Sequence, residues 1–308
     1  MKILFTGGAG FIGSNVADRY LDLGHEVIIL DNLVTGKREN IPSQAKFIEM
    51  DIRDARISEV FDTEKPDIVN HHAAQMDVRK SVSDPIYDAN VNVIGGLNLL
   101  QNCIKHHVKK FIFASTGGAI YGEQDYFPAD EKHPLRPLSP YGITKLTTEK
   151  YLYFYHQTYG LKYTVLRYAN VYGPRQNPHG EAGVVAIFSE KILGGYQPII
   201  NGDGLQTRDY VFVGDVVKAN ELVLRQGDNK TYNIGTGKET NVNELFQMIV
   251  KMSGQKVPEK HGEAKPGEQM RSVLDYTYIQ RELNWQPKTN LAEGISQTLH
   301  FFRSKYEK

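Results

Sequence analysis

Apolar residues in the first half of the chain occur in short runs that alternate with segments of helical spacing. Residues 2–6 form an apolar run that stops at glycines, residues 14–23 have helical spacing, and residues 26–30 form a second run. Short apolar runs of this kind are typical of strands buried in a parallel sheet. Together the three segments predict one βαβ unit.

The alternation continues as far as residue 167. The pattern predicts strands at 46–50, 67–70, 110–114 and 163–167, and helices at 55–61, 85–107 and 141–159. Strands that alternate with helices favour a parallel sheet covered by helices on both faces. The sequence therefore predicts an α/β fold with a doubly wound parallel sheet of the Rossmann type.

The alternation of strands and helices becomes less regular in the second half of the chain, where residues 170–180 are rich in turn-forming residues. The pattern here predicts helices at 184–193, 214–225, 242–252 and 291–302, and strands at 209–213 and 231–234. We see no repeat, low-complexity tract or flexible linker. We therefore predict that residues 1–169 form the sheet domain, with later segments returning to it, and that residues 170–308 form mainly a smaller C-terminal cap.

Composition excludes some classes of partner. The 308 residues carry a formal net charge of zero, which argues against bulk electrostatic binding to nucleic acid or to an anionic membrane. The single cysteine, Cys103, excludes an intrachain disulfide and suits a reducing, cytoplasmic setting. Since no apolar run approaches the roughly 18 residues of a membrane span, and no signal-like start is visible, we expect neither export nor membrane spanning.

Three glycines follow the first predicted strand at intervals of three residues, Gly7, Gly10 and Gly13. Such glycines let the backbone approach a pyrophosphate, and the N–H groups at the start of the next helix stabilise its charge. The spacing differs by one residue from the G-x-G-x-x-G fingerprint. However, this turn follows a strand, opens a helix and precedes an acidic strand end, which is the context of a dinucleotide site.

Asp31 ends the second predicted strand, 18 residues beyond Gly13. A carboxylate there can accept both hydroxyls of the adenosine ribose and would repel a 2′-phosphate, which favours NAD over NADP. Lys37 and Arg38 follow closely, so this preference is not absolute. Asp51, at the end of the third predicted strand, is a candidate for the adenine amino group; the alternative is a cap for the helix that follows.

Tyr141 and Lys145 lie one turn apart on a predicted helix and therefore share one face of it. The unperturbed pKa of tyrosine is roughly 10, and an ammonium group one turn away favours the phenolate. The pair could therefore take a proton from an alcohol near neutral pH. Such pairs are common on helix surfaces, and it is the predicted dinucleotide site in the same chain that favours a catalytic interpretation.

Together these features resemble the extended short-chain dehydrogenase/reductase family, and within it the nucleotide-sugar enzymes, most nearly the UDP-glucose 4-epimerases. The resemblance covers nearly the whole chain. The stretches that carry it are residues 6–13 (TGGAGFIG), 72–74 (HAA), 121–122 (YG), 139–145 (SPYGITK), 166–174 (LRYANVYGP), 208–211 (RDYV) and 232–235 (YNIG).

The resemblance implies NAD as the cofactor and assigns residues to it. It makes Tyr141 the general base and acid, while Lys145 binds the nicotinamide ribose and lowers the pKa of Tyr141. The cofactor-binding residues that it implies are Gly7, Gly10, Phe11, Ile12, Gly13, Asp31, Asn32, Asp51, Ile52, Ala73, Ala74, Gln75, Asn90, Tyr141, Lys145 and Tyr168.

The resemblance also implies a hydroxyl, before Tyr121, that shares the proton of the sugar O4. Residues 115–121 (STGGAIY) are one residue longer than the usual family spacing. Counting forward from the preceding strand assigns the hydroxyl to Thr116, whereas counting back from Tyr121 falls on Gly117. We predict Thr116, with Ser115 as the alternative; a purely structural turn threonine is the other interpretation.

Gly117 and Gly118 occupy the positions that separate relatives within the family. The related sugar-nucleotide 4,6-dehydratases require Asp-Glu directly after the threonine to expel water, and related decarboxylases place a glutamate there. With no acid at these positions, elimination has no catalyst. The chemistry expected is therefore confined to C4 of the sugar.

The implied function is NAD-dependent 4-epimerisation of a UDP-hexose through a transient 4-keto sugar. Tyr141 takes the proton of the C4 hydroxyl while the C4 hydride moves to NAD. The flat keto sugar then presents its other face, and the hydride and the proton return to it. The alternative is another C4 redox reaction on a nucleotide sugar, by a dehydrogenase or a 4-keto reductase. A non-catalytic NAD-binding regulator is disfavoured because Tyr141 and Lys145 are both present.

The second half of the chain supplies most of the implied anchor for the UDP-sugar. Asn170 matches a family position that contacts the sugar diphosphate, and Arg208 is expected to make a charge-assisted bond to phosphate. Lys265 stands where arginine is usual and keeps the charge without the bidentate fork. Arg271 lies near enough in sequence to compensate, and Glu268 would bind the uridine ribose.

Ser272 matches the position where a bulky side chain narrows the hexose pocket of some epimerases. Because serine leaves space there, we expect N-acetylated sugars to be accepted as well. The complete set of residues predicted to bind substrate is Thr116, Tyr141, Asn170, Arg208, Lys265, Glu268, Arg271 and Ser272.

No metal site is expected, because the histidines of the pairs at 71–72 and 106–107 are adjacent and point apart on a strand or helix. The resemblance further implies a homodimer in which each subunit contributes two long helices. In this chain those helices correspond to residues 85–107 and 141–159.

Overall fold

The computed structural model describes residues 1–179, 183–265 and 269–306. Its strands are β1 (Lys2–Thr6), β2 (Glu26–Asp31), β3 (Lys46–Glu49), β4 (Ile68–His71), β5 (Lys110–Thr116), β6 (Lys162–Tyr168), β7 (Asn170–Tyr172), β8 (Ile200–Asn201), β9 (Thr207–Arg208), β10 (Tyr210–Phe212), β11 (Lys230–Ile234), β12 (Thr240–Asn241), β13 (His261–Gly262) and β14 (Arg271–Ser272).

The helices are α1 (Phe11–Asp22), α2 (Ile57–Glu64), α3 (Val78–Ser83), α4 (Pro85–Ala89), α5 (Gly95–Lys105), α6 (Gly117–Ile120), α7 (Pro140–Tyr159), α8 (Val184–Leu193), α9 (Val213–Val223), α10 (Val242–Ser253), α11 (Thr277–Leu283) and α12 (Leu291–Tyr306). A 3₁₀ turn spans Arg38–Asn40, and a π-helical turn spans Asn90–Ile94 between α4 and α5.

Seven parallel strands form the central sheet in the order β11-β6-β5-β4-β1-β2-β3. The chain builds outward from β1 to β3 and then returns to β4 on the other side of β1. The connections after β1 and β4 therefore diverge, and a crevice opens at the carboxyl ends of these strands, where open α/β sheets bind ligands. The predicted α/β class with a doubly wound parallel sheet is confirmed.

Helices cover both faces of the sheet because its strands are apolar on both sides. On one face α1 and α9 pack together, with Val16 and Val216 in a core cluster that includes Phe5 of β1. On the other face α2, α5 and α7 pack over a second cluster, with Leu99 and Leu152 among its members. Fully burying a side chain of this size contributes roughly 1.5–3 kcal/mol, so the two clusters hold the sheet between its helices.

The later part of the chain builds a smaller layer over the carboxyl ends of the strands. Its helices α8, α10 and α12 surround a third apolar cluster, and short strands pair as β7 with β10, β8 with β13, and β9 with β12 and β14. In contrast, β11 joins the edge of the central sheet beside β6, and α9 packs on α1. Segments beyond residue 170 therefore contribute to both layers.

Two predicted elements differ from the observed ones in ways that affect the site. The helix predicted at 85–107 is interrupted by the π-helical turn at Asn90–Ile94, and the strand predicted at 110–114 continues to Thr116. The pattern also missed α3, α6 and α11, which are short. Among the helices of the described residues, none is both long enough and apolar enough to cross a bilayer.

Candidate active site

The turn between β1 and α1 forms the floor of a cleft of about 330 Å³ at the carboxyl ends of the strands. Gly7 has φ +73°, and an added Cβ would lie 2.5 Å from the backbone N of Ala73. A Cβ on Gly13 would lie 2.2 Å from the carbonyl oxygen of Gly7. Only glycine fits these two positions, because the turn packs directly against β4's end and against α1.

α1 begins at this turn without a side-chain cap at Gly10. The first N–H groups of a helix have no acceptor within the helix, and they point along the positive end of its dipole. The start of α1 can therefore receive an anion such as a pyrophosphate. All five residues predicted for this function line the cleft: Gly7, Gly10, Phe11, Ile12 and Gly13.

Asp31 lies at the end of β2, nearly buried, and lines the same cleft. Its carboxylate accepts the N–H groups of Ala9 at 3.0 Å and Leu33 at 2.8 Å. Burial raises the pKa of Asp31, and the two N–H bonds oppose this rise. Each oxygen keeps a further lone pair, so the carboxylate can still accept the two hydroxyls of a ribose.

Of the two cations near Asp31 in sequence, Arg38 is directed elsewhere. Its guanidinium pairs with Glu49 of β3 and lies over the Phe47 ring, 5.1 Å from the ring centre. Of Lys37 the structure gives only a backbone bond, from its N–H to the carbonyl of Ala9. Arg38 therefore has acceptors of its own away from Asp31, which is consistent with the preference for NAD.

Asp51 lines the cleft but does not cap a helix. Its carboxylate accepts the N–H and the guanidinium of Arg53, which lowers the pKa of Asp51 to about 2, and Asn32 donates to it at 2.9 Å. The next helix, α2, begins six residues later, after Arg56. The helix-cap alternative is therefore wrong, and Asp51 stays a candidate for the adenine, together with Asn32 and Ile52, which also line the cleft.

The opposite wall is formed by Ala73, Ala74 and Gln75, which follow β4. Asn92 holds this segment: its Oδ1 accepts the N–H of Gln75 at 2.8 Å, and its Nδ2 donates to the carbonyl of Gln75 at 2.9 Å. Asn90, which we predicted as a cofactor ligand, is exposed and is not among the residues that line the cleft. The prediction for Asn90 is therefore corrected, and Asn92 is the buried asparagine that holds the cleft wall through Gln75.

Tyr141 and Lys145 lie on the first two turns of α7, which Ser139 caps by accepting the N–H of Gly142 at 3.2 Å. Both residues line the cleft. Lys145 is 4% exposed; its Nζ donates to the carbonyl of Ala114 at 2.8 Å and lies 5.8 Å from the centre of the Tyr141 ring. Burial lowers the pKa of Lys145 to about 8.

Tyr168, predicted for the cofactor, lies at the end of β6 and also lines the cleft. Its hydroxyl accepts from Nδ2 of Asn220 at 2.9 Å and lies 3.1 Å from Nε2 of His72. These contacts fix the tyrosine ring against the cleft wall.

Ser115 and Thr116 are adjacent at the end of β5, so their side chains point to opposite faces of the sheet. The Ser115 hydroxyl is buried and donates to Glu149 at 2.6 Å. Thr116 is half-buried, and a Cβ added to Gly118 would lie 3.9 Å from its Oγ1 and 3.8 Å from Oδ1 of Asn170. The Thr116 hydroxyl therefore lies near the Asn170 side chain. Of the two residues, however, only Ser115 is among those that line the cleft.

Short strands bring the predicted substrate residues of the second half together. Asn170 pairs with Tyr210 between β7 and β10, and its N–H donates to the carbonyl of Asp209 at 2.9 Å. Arg208 precedes Asp209 and lies opposite Ser272 between β9 and β14. Ser272 is 3% exposed and does not line the cleft described above.

Three further predicted substrate residues have different outcomes. Arg271 is bonded through Nε and Nη2 to the carboxylate of Glu239 and covers the Phe127 ring at 3.7 Å, so its guanidinium is occupied there. The role of Arg271 as a substitute for the usual arginine stays a prediction, and it would require the guanidinium to leave Glu239. Lys265 is exposed, and Glu268 lies outside the described residues.

The cleft wall also includes residues that sequence reasoning missed. Gly36 packs against Asp31, and a Cβ there would lie 2.9 Å from Oδ1 of that carboxylate. Glu149 forms a buried ion pair with Arg167 at 2.6 Å behind Ser115. A glutamate two turns after Tyr141 on the same helix face was the available signal for this pair. The remaining missed lining residues are Leu30, Val34, Thr35, Met50, Met76, Asp77, Lys80, Tyr87, Val91, Ala114 and His179.

Comparisons with known proteins agree with this geometry. The family described as "NAD dependent epimerase/dehydratase family" matches residues 3–235. The chain is 44% identical over 314 residues to a UDP-glucose 4-epimerase of Mycolicibacterium smegmatis, covering 99% of each chain.

Two solved structures are also similar. A UDP-glucose 4-epimerase from Thermotoga maritima, crystallised with UDP-glucose, is 51% identical with a TM-score of 0.98, over 99% of this chain and 100% of that one. A UDP-glucose 4-epimerase from Thermus thermophilus, in complex with NAD, is 46% identical with a TM-score of 0.94, over 98% of this chain and 99% of that one.

Proposed function

Because the chain belongs to the NAD dependent epimerase/dehydratase family, we propose that it is an NAD-dependent 4-epimerase of UDP-hexoses. The substrates proposed are UDP-glucose and UDP-galactose, interconverted through a transient 4-keto sugar. One observation carries the proposal: Tyr141 and Lys145 line the same cleft as the glycine turn and Asp31. A base for a sugar alcohol thus lies beside a site built for a dinucleotide.

The residues of the cleft fit NAD. The glycine turn leaves room for a pyrophosphate at the start of α1, and Asp31 offers two carboxylate oxygens to the adenosine ribose. Lys145 would bind the ribose at the nicotinamide end, and Ala73, Ala74 and Gln75 would form the wall. When bound, NAD supplies a reversible hydride acceptor for C4 of the sugar.

Tyr141 takes the proton from the C4 hydroxyl and returns it after the keto sugar has turned. Lys145, as an ammonium ion, stabilises the phenolate of Tyr141 and so brings its basicity into the neutral range. Thr116 shares the proton of the same sugar hydroxyl, because its side chain lies on the side of Asn170. Ser115 is the weaker candidate, since its hydroxyl already donates to Glu149.

The diphosphate of the substrate would be anchored by Asn170 and Arg208. These residues lie near each other because Asn170 bonds to Asp209, the neighbour of Arg208. Lys265 would add charge at the exposed side. Firm anchoring of the nucleotide leaves the hexose free to present either face, which epimerisation requires.

The loop after Thr116 argues against elimination of water. A Cβ on Gly117 would lie 2.4 Å from Cδ1 of the buried Leu274, so an acidic side chain does not fit there. Gly118 is the next position and carries no acid either. A reaction confined to C4 is therefore favoured over dehydration at C5 and C6.

The decisive experiment supplies the protein with UDP-glucose, UDP-galactose and their N-acetyl forms, without added NAD, and resolves the products. Inversion at C4 in both directions with no accumulation of reduced nicotinamide is expected. A net dehydrogenase would instead accumulate reduced cofactor, and no turnover of any of the four sugars would contradict the proposal. Turnover of UDP-N-acetylglucosamine below about a hundredth of that of UDP-glucose would exclude the acceptance we expect from Ser272.

The Tyr141→Phe variant tests the assigned base. Loss of a general acid–base group typically costs roughly 10²–10⁴-fold in rate, so kcat should fall by at least about 100-fold while bound NAD is retained. The matched control is Tyr196→Phe, which removes a hydroxyl from a tyrosine that is 69% exposed in the cap. Full activity of Tyr141→Phe would contradict the proposal.

We also infer a homodimer and a cytoplasmic setting. Exposed apolar side chains occur on both elements expected at the dimer interface, among them Ile86, Ile94, Ile143 and Phe154. α3 and α4 pack against α7, so these side chains belong to neighbouring elements. The one cysteine, Cys103, is buried and unpaired, which supports a reducing compartment.

A further inference from the structure

Asp88 is a carboxylate with no exposed surface, on α4. Its Oδ2 accepts the hydroxyl of Thr144 at 2.9 Å, and its Oδ1 accepts Nε2 of Gln75 at 2.9 Å and Nδ2 of Asn92 at 3.1 Å. All three donors are neutral. Burying a carboxylate is costly unless a nearby cation or several hydrogen bonds compensate, so the presence of Asp88 here requires an explanation.

The three donors connect Asp88 to the candidate active site. Thr144 immediately precedes Lys145 on α7, and Gln75 lines the cofactor cleft. Lys145 is itself buried, and its Nζ donates to the neutral carbonyl of Ala114. The buried carboxylate therefore bonds to the residue that directly precedes the buried lysine in the chain.

The charge of Asp88 acts on Lys145 without direct contact. Burial lowers the pKa of Lys145 to about 8, while the charges of Asp88 and then Glu149 oppose this. Glu149 shares its charge with Arg167, which pairs with it at 2.6 Å. Asp88 has no cation among its described hydrogen-bond partners, which are Thr144, Gln75 and Asn92.

Other titratable groups around Lys145 do not replace Asp88. His71 and His72 face it from the end of β4, and burial lowers the pKa of both, which makes them neutral near pH 7. On α3, which packs against α4 and α7, Lys80 lies over the Tyr87 ring, 4.3 Å from the ring centre.

The other charged side chains in this region have partners of their own. Asp84 accepts the N–H of Tyr87 at the start of α4, and Arg167 also donates to the hydroxyl of Tyr121.

We propose that Asp88 is a positioning residue for the reaction: its buried charge holds Lys145 in the ammonium form beside Tyr141. The inference rests on the proposed function, because it assigns Asp88 to the same proton transfer. It gives the pH dependence a definite sign. Removing a nearby negative charge favours loss of a proton from Tyr141 and from Lys145 alike, so both limbs of the pH–rate profile move to lower pH.

Asp88→Asn tests the inference with little change of shape. Oδ1 can keep its two amide donors, and the new N–H₂ group can donate to Thr144, whose hydroxyl proton can turn to the Tyr141 carbonyl 3.0 Å away. Both limbs of the profile of kcat against pH should shift down by about one pH unit, with bound NAD retained. The matched control is Asp215→Asn in α9, a buried carboxylate that accepts the N–H groups of Lys288 and Thr289.

A second measurement does not depend on turnover. Ultraviolet absorbance of ionised tyrosine, taken as the difference between each protein and its Tyr141→Phe counterpart, should show Tyr141 ionising at lower pH in Asp88→Asn than in the unchanged protein. If Asp88→Asn does not fold, Asp88→Ser, which leaves room for a water among the same donors, replaces it in both measurements.

The outcomes separate this inference from the proposed function. A folded Asp88→Asn protein with unshifted limbs, or limbs shifted to higher pH, overturns the role of Asp88 while the epimerase proposal stands if Tyr141→Phe is inactive. A general loss of kcat at every pH with unshifted limbs indicates a structural role and also overturns it. Full activity of Tyr141→Phe removes the base and with it both proposals.

Discussion

At the residue scale, the side chain of Asn92 bonds to both backbone polar groups of Gln75, as a neighbouring strand would in a sheet. It satisfies the backbone N–H and carbonyl of Gln75, and its Nδ2 also donates to Asp88 and approaches Thr144 at 3.2 Å. One buried amide therefore joins the cleft wall, the buried carboxylate and the helix of Tyr141. Asn90, two residues earlier, faces solvent.

Replacing Asn92 by alanine should lower the free energy of unfolding by about 1–3 kcal/mol, because the backbone N–H and carbonyl of Gln75 lose their Asn92 partner and Asp88 loses one of its three donors. The bound NAD content should fall as well, since Gln75 lines the cleft. Urea unfolding and the nucleotide released on denaturation measure the two effects. Asn90→Ala is the control and should change stability by no more than about 0.5 kcal/mol; equal effects of the two variants would contradict the assignment of Asn92.

Counting along the sequence could not choose between these two asparagines. A helix predicted at 85–107 has a definite face only if it is regular, and the π-helical turn at Asn90–Ile94 rotates the face that follows. The same limit applies at Ser115 and Thr116, where the predicted strand ended two residues early. Asp31, Tyr141 and Lys145 could be assigned in advance, because each lies at a point that local spacing alone defines.

At the scale of elements, the turn between β1 and α1 depends on backbone contact with the segment after β4. An added Cβ at Gly13 would lie 2.2 Å from the carbonyl oxygen of Gly7, and this oxygen belongs to the main chain, so it cannot rotate away. The start of α1 would have to move outward. The site for the pyrophosphate would then lose its geometry.

We therefore expect Gly13→Ala to lose most of its bound NAD and to be destabilised by about 1–3 kcal/mol. Gly24→Ala is the control: unlike Gly13, this glycine has a positive φ, +75°, but an added Cβ would meet nothing within 4 Å. It should cost only the backbone strain of roughly 1–2 kcal/mol and leave NAD bound. Thermal unfolding measures the two stability losses, whose ranges overlap, and the bound-nucleotide content distinguishes the variants. Full NAD occupancy of Gly13→Ala would count against a pyrophosphate site at this turn.

One face of α7 carries three residues of the candidate site. Tyr141, Lys145 and Glu149 recur at intervals of four residues, so they lie on one face, and β5 lies beneath that face. Lys145 and Glu149 each bind the end of β5, at Ala114 and Ser115. These two contacts therefore fix the position of the helix relative to the strand, and with it the position of the proposed base.

At the scale of the whole molecule, exposed apolar side chains on the helical surface around α7 indicate an interface with another protein chain. Ile86 is 74% exposed and Phe154 is 47% exposed, and large apolar side chains exposed on packed helices are typical of an interface. The face on α4 and α7 is the one expected to meet a second copy of the chain, as two helices from each subunit.

Charges placed on that face should separate the subunits. Ile86→Glu combined with Phe154→Glu is expected to convert a dimer to a monomer in sedimentation equilibrium, because a desolvated charge in an interface costs several kcal/mol. Leu205→Glu, at a site 59% exposed in the cap, is the control and should leave the mass unchanged. A parent protein that is already a monomer would contradict the proposed homodimer.

The alternation of apolar runs and helical spacing determined the α/β class and the carboxyl-end position of the cleft, because both follow from local periodicity and from the handedness of strand–helix–strand units. The sequence also predicted that the glycine turn, Asp31 and the pair Tyr141–Lys145 belong to the site. Tertiary structure alone decided that Asn92 holds Gln75 in the cleft wall, that Glu239 pairs with Arg271, and that the hydroxyl of Ser115 donates to Glu149. Such contacts join segments far apart in sequence, and no local spacing records which of several polar side chains will meet across the fold.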